Sequence, residues 1–223
     1  MKKFTRGIMI FLAYFIYSIL LTLPLELLNI DIKSLSVVVK TLYLVLADII
    51  FIIILIKTYS KDLREAYYDF KDNYKDYIDD MFKYWILGLL TMVITNFAIV
   101  YLTPSEMASN EEAVRNLITK APIYMVFSTV LFAPLSEEII FRRAFRDLFE
   151  SKWLYVLMSG MVFGALHAVT EFSNFYEILF IIPYSALGIA FALLYVKNNN
   201  ILTPIIMHTL HNAILVSMFL IRN

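Results

Sequence analysis

Seven stretches of about twenty mostly apolar residues fill most of this 223-residue chain, at about 7–28, 35–56, 84–102, 123–141, 153–170, 177–196 and 201–221. A run of about 20 apolar residues is what a helix needs to cross the hydrocarbon of a bilayer. Backbone groups there find no water, so a spanning segment of this kind is helical. The sequence therefore predicts an all-α, polytopic transmembrane bundle of about seven spans, with room for an eighth or re-entrant piece. Apolar residues make up 61% and charged residues 17%, against roughly 45–50% and about 25% in soluble domains. A core able to bury that excess is larger than a chain of this length can enclose. The absence of cysteine excludes disulfides and thiolate metal sites. Nineteen basic and nineteen acidic residues cancel, which gives no electrostatic case for nucleic acid.

The first apolar run follows Lys2, Lys3 and Arg6 but is longer than a signal-peptide core and lacks a small-residue cleavage site, so it reads as a retained span. No internal repeat or Gly/Ser-rich linker divides the chain. Residues 1–223 read as one membrane domain, with N-terminal spans over 1–121 and a C-terminal half over 122–223. With the N-terminus inside, fourteen Lys and Arg fall on inner segments and four (Lys33, Arg115, Lys120 and Arg222) on outer ones. The positive-inside rule then predicts a cell-membrane protein with a cytoplasmic N-terminus. Residues 57–83 hold thirteen of the thirty-eight charges. Tyr59, Leu63, Tyr67, Phe70, Tyr74, Ile78 and Met81 recur there at helical steps, which predicts an amphipathic interfacial helix. The outer loop 103–121 predicts a short helix capped by Ser105 or Asn110.

Ionisable groups inside spans are costly and are functional candidates by default. Glu26, Lys40 and Asp48 have ordinary structural readings: reaching the interface, snorkelling, and pairing with a neighbouring helix. The C-terminal half differs. Glu138 and Arg142 are four apart with the acid first, the favourable order for an ion pair on one helix face. Glu137 lies about 100° round the helix, so one arginine does not readily serve both acids. This leaves a structural pair and a free carboxylate suited to general acid–base work. Counted at about 1.5 Å per residue from a turn near residues 150–152, Glu137 and His167 lie roughly 20 and 22 Å along their helices. In an antiparallel hairpin they face each other at one depth, with Gly164 and Ala165 permitting close approach. His208 and Asn212 share a face of the last span, His211 sits on its flank, and Thr203-Pro204 reads as a cap with a proline at the first helical position.

Taken together, Glu137-Glu138-x-x-x-Arg142, Phe163-x-x-x-His167 and His208-x-x-x-Asn212, in that order on successive apolar helices, resemble the CPBP family. This family comprises the type II CAAX prenyl endopeptidases and the bacterial Abi or bacteriocin-processing proteins. The resemblance implies an intramembrane endopeptidase in which Glu137 activates water with help from His167. His208 and Asn212 would hold a metal or stabilise the oxyanion, and Arg142 would fix Glu138. Zinc is an open question: His167, His208 and Glu137 would supply the three ligands of a catalytic site. That would leave Glu138 as base, against the ion-pair reading, which favours a metal-free, glutamate-dependent mechanism. The implied partner is a membrane-associated peptide or protein, such as a pheromone or bacteriocin precursor. The alternative is a non-catalytic immunity or scaffold protein that binds a bacteriocin or membrane sensor. A proton-coupled carrier is disfavoured by the lack of inverted repeats.

Overall fold

The computed structural model describes residues 2–104, 108–169 and 175–222, and these contain helices and turns but no strand. The helices are α1 (Lys3–Leu27), α2 (Val37–Thr58), α3 (Ser60–Leu102), α4 (Ser109–Lys120), α5 (Pro122–Ala144), α6 (Lys152–Val169), α7 (Phe175–Asn198) and α8 (Leu202–Arg222). Six of them, α1, α2, α3, α5, α7 and α8, are long and apolar enough to cross a membrane. The seventh expected span is the 18-residue α6, which lies at the short end of what a bilayer requires.

Packing divides the bundle into an open half and a dense half. α1 and α2 present rows of exposed leucine, isoleucine and valine, as lipid-facing helices do. In α7 more than half of the apolar window is buried. Helices α6 and α7 approach each other closely. A Cβ on Gly160 would fall 2.3 Å from Ile189 Cγ1, and one on Gly164 would fall 2.1 Å from Ser185 Oγ. Gly164 thus serves close approach as expected, but toward α7 rather than toward the helix that carries Glu137.

The expected interfacial helix over 57–83 is not a separate element. It is continuous with the following span as the 43-residue α3. The later part of α3 packs along α7, with Met81 clustered against Leu187, Phe191 and Leu194, and Ile99 against Phe180. Its first turns cross the charged end of the bundle. Arg6 pairs there with Asp62 at 3.0 Å and with Asp147 at 2.8 Å. Arg143 pairs with Asp147 at 2.7 Å and also with Asp62. Both guanidinium groups stand over the Tyr59 ring, at 4.3 and 5.2 Å. This cluster ties α1, α3 and the end of α5 together. It also places at one end residues that the charge count assigned to one side.

Several local expectations change. Ser105 lies outside the described residues, and α4 begins after Ala108 with no side-chain cap. The last helix starts at Leu202, and its cap is Asn200, whose Oδ1 accepts from the Leu202 N–H at 2.9 Å. Asn199 makes the turn before it with a φ of 49°, a left-handed geometry that Asn tolerates better than most residues. Asp48 does pair across helices, accepting from the Tyr17 hydroxyl, while the Tyr17 ring stacks on Phe51 at 4.4 Å.

Candidate active site

The first motif lies on α5, and α5 is not a regular helix. It winds as a π-helix over Ser128–Phe132 and again over Ile139–Ala144. Pro134 accounts for the first stretch. It lacks an N–H, and its ring crowds the carbonyl four residues back. The turn widens in response, and the Ala133 N–H bonds the carbonyl of Ser128, five residues away. Such wide turns recur at functional sites. Here they bracket Glu137 and Glu138.

The two adjacent glutamates have different surroundings. The side chains of Glu138 and Arg142 are both 0% exposed, with Arg142 Nε 2.9 Å from Glu138 Oε2. That contact is a pairing of charges rather than an aligned hydrogen bond. Arg142 Nη2 donates to Glu138 Oε1 at 3.3 Å, and Nη1 donates to Ser159 Oγ at 2.9 Å. Ser159 in turn donates to the Phe141 carbonyl at 2.6 Å. His208 completes the ring of partners, its Nδ1 lying 2.9 Å from Glu138 Oε1. A buried charge pair is tolerable only when its remaining polar groups are also satisfied, and Ser159 and His208 meet that need. Ser159 was not singled out by sequence, because a serine in an apolar helix carries no signal of its own.

Glu137 faces the other way, toward the imidazoles. Its Oε2 is buried and receives no hydrogen bond among the described residues. His167 Nε2 lies 3.8 Å from that oxygen and His208 Nε2 lies 3.9 Å from it. The Glu137 side chain is 13% exposed and that of His167 is 22%, whereas that of Glu138 is 0% exposed. The depth count from the α5–α6 turn therefore places Glu137 and His167 correctly relative to each other.

The hydrogen bonds assign the ring tautomers. His167 Nδ1 lies 2.9 Å from the Phe163 carbonyl, an acceptor, so that nitrogen carries the proton. His208 Nδ1 donates to Glu138, whose charge Arg142 already balances. In the neutral form of each ring the Nε2 lone pair is then free, with Nε2 3.8 Å (His167) and 3.9 Å (His208) from Glu137 Oε2. Phe163 holds the group together. Its ring lies 4.2 Å from that of His167, 6.0 Å from that of His208 and 5.6 Å from that of Phe141, and the Arg142 guanidinium lies 5.0 Å from its centre. Asn212 donates from Nδ2 to the Thr129 carbonyl at 2.8 Å, which fastens α8 to the first π turn. His211 points elsewhere and accepts at Nδ1 from Trp85 Nε1 at 3.3 Å.

A catalytic zinc takes three protein ligands and keeps a fourth position open. Glu137, His167 and His208 are suitable donor types. Even so, no group of three or more His, Asp or Glu side chains among the described residues holds metal-binding geometry. Glu138 is committed to Arg142 and His208. No step below runs through a metal.

Residues 119–214 match the family model of the Rce1-like type II CAAX prenyl endopeptidases. A protein of Bacillus subtilis (strain 168) named "Putative membrane peptidase YdiL" is 31% identical over 121 residues, 52% of this chain and 46% of the relative. The chain thus spans about half the length of that relative. No solved structure matches the chain significantly. All the motif residues, from Glu137 to Asn212, lie inside the matched segment.

Proposed function

We propose that this chain, a member of the CPBP family of membrane proteases through residues 119–214, is an intramembrane endopeptidase. Its substrate is a peptide bond in a membrane-associated or lipid-modified peptide or protein. One observation carries the reading: a Glu137 Oε2 with no hydrogen bond among the described residues, on a side chain that is 13% exposed, facing two imidazole Nε2 atoms beside a fully buried Glu138–Arg142 pair.

Three acceptors converging on one point suit a water molecule, which brings two donors. Water donates one O–H to Glu137 and the other to His167, leaving a lone pair for attack. As that lone pair bonds to the scissile carbonyl carbon, one proton passes to Glu137 and the C=O π pair moves onto oxygen. Collapse re-forms the carbonyl and breaks the C–N bond, and Glu137 returns its proton to the leaving nitrogen. General acid–base catalysis of this kind contributes about 10²–10⁴-fold. Glu138 holds His208 in one tautomer, the service that an outer carboxylate gives a working histidine. Asn212 fixes the depth of His208 through its hold on Thr129.

The test compares peptides released by cells that make the wild-type protein or Glu137→Gln, with membrane levels checked by immunoblot. Loss of specific peptides by at least about 10²-fold at equal protein level is expected. Identical peptide sets would overturn the reading and leave a binding role, such as immunity or scaffolding.

A further inference from the structure

The motif residues offer acceptors to the reacting carbonyl but no hydroxyl. Both Nδ1 hydrogens are engaged, by Phe163 and by Glu138, and Arg142 is closed on Glu138 and Ser159. One of the two amide hydrogens of Asn212 is engaged by Thr129, which leaves a single N–H there for the reacting oxygen. A tetrahedral intermediate develops negative charge on the former carbonyl oxygen, and a donor aimed at that oxygen is one of the strongest aids an enzyme can give this chemistry.

Helix α1, outside both the motifs and the matched segment, brings a hydroxyl to this level. It packs antiparallel to α5: Arg6 bonds Asp147, and a Cβ on Gly7 would lie 2.7 Å from the Ala144 carbonyl oxygen. Seven residues along α1 from Gly7 stands Tyr14, and seven residues back along α5 from Ala144 stands Glu137. The steps are equal in residue number, and the one on α5 includes the π-helical stretch Ile139–Ala144. The Tyr14 ring meets Phe141, one turn from Glu137, edge-on at 5.5 Å between centres.

Resting on the endopeptidase reading, we propose that Tyr14 is a further catalytic residue, whose hydroxyl faces Glu137 and donates a hydrogen bond to the tetrahedral oxyanion. The bond forms as charge builds on oxygen and is released at collapse; the phenol keeps its proton throughout.

The test uses the full chain in lipid, with Tyr14→Phe, which keeps the ring on Phe141 and removes only the oxygen. The substrate is the peptide whose release is lost in Glu137→Gln. The expected result is a fall in kcat of about 10²-fold, with KM within twofold and an unchanged unfolding temperature. A kcat within twofold of wild type overturns the proposal. So does a loss shared with KM and thermal stability, which marks a packing role. An infrared measurement gives a readout that needs no turnover. The carboxyl band of Glu137, identified by its loss in Glu137→Gln, should move in Tyr14→Phe, and an unmoved band overturns the juxtaposition. Continued cleavage by Glu137→Gln would sink the endopeptidase reading instead, so the two failures are distinguishable.

Discussion

Neutralising either of two neighbouring glutamates should move stability in different directions. In Glu138→Gln the buried Arg142 guanidinium loses its counter-charge while keeping only Ser159 as a firm partner, and His208 Nδ1 loses a carboxylate acceptor. Removing one partner of a fully buried ion pair costs about 3–5 kcal/mol. At about 2–4 °C per kcal/mol for a chain of this size, the unfolding temperature should drop by about 6–20 °C. Glu137→Gln removes a carboxylate whose Oε2 has no hydrogen bond among the described residues. Since an unsatisfied buried polar group costs about 1–3 kcal/mol, that variant should be neutral or more stable. The assay is thermal unfolding of the purified full chain in one detergent, followed by tryptophan fluorescence. Trp85 sits against His211, while Trp153 is exposed, so loss of packing around the last helix is reported. The double variant Glu138→Gln/Arg142→Gln should recover at least half of the loss, because it removes both charges. Equal shifts for the two single variants, or a larger loss for Glu137→Gln, would refute the division of labour between the glutamates.

Gly164→Ala places a methyl 2.1 Å from Ser185 Oγ and 2.6 Å from the Ser185 backbone nitrogen; a loss of about 1–3 kcal/mol is expected, read as lower yield and unfolding temperature. Asn200→Ala removes the cap of α8 and the hydrogen bonds to the Ala66 carbonyl and Asp69. It should cost about 1–2 kcal/mol while leaving turnover per folded molecule intact, as active-site titration against a kinetic trace would show. Dialysis against a chelator should leave turnover within twofold; a loss restored by zinc would contradict the metal-free, glutamate-dependent reading.

The sequence disclosed the spans through hydropathy, because a bilayer imposes length and apolarity on each segment independently. It also disclosed the depth of Glu137 and His167, because helix rise is constant on both sides of a turn. The Glu138–Arg142 pair followed from the four-residue spacing alone. What stayed hidden depends on how helices rotate against one another. Tyr14 lies in a lipid-like run where one tyrosine resembles any other, and only the α1–α5 register selects it. Ser159 became visible once α6 was laid on α5. The π turns around Pro134 were missed because a proline announces a disturbance but not its form. The interfacial helix was separated from its span because composition changes sharply near residue 83 while the backbone does not.

The antiparallel seating of α1 on α5 also has a consequence in time. Chains emerge from the ribosome N-terminus first. Arg6 therefore waits through 141 residues of synthesis for Asp147, and Tyr14 stands in the bilayer well before Glu137 arrives. Glu138 and Arg142 follow, but His208 comes only with α8, the last of the described helices. Until that helix docks, the carboxylate meant to orient the histidine has none to orient, and Thr129 has no Asn212 to receive. A nascent chain therefore holds its acids and its hydroxyl without the imidazole that completes the set. On the proposed endopeptidase reading, the site is complete only once α8 has docked.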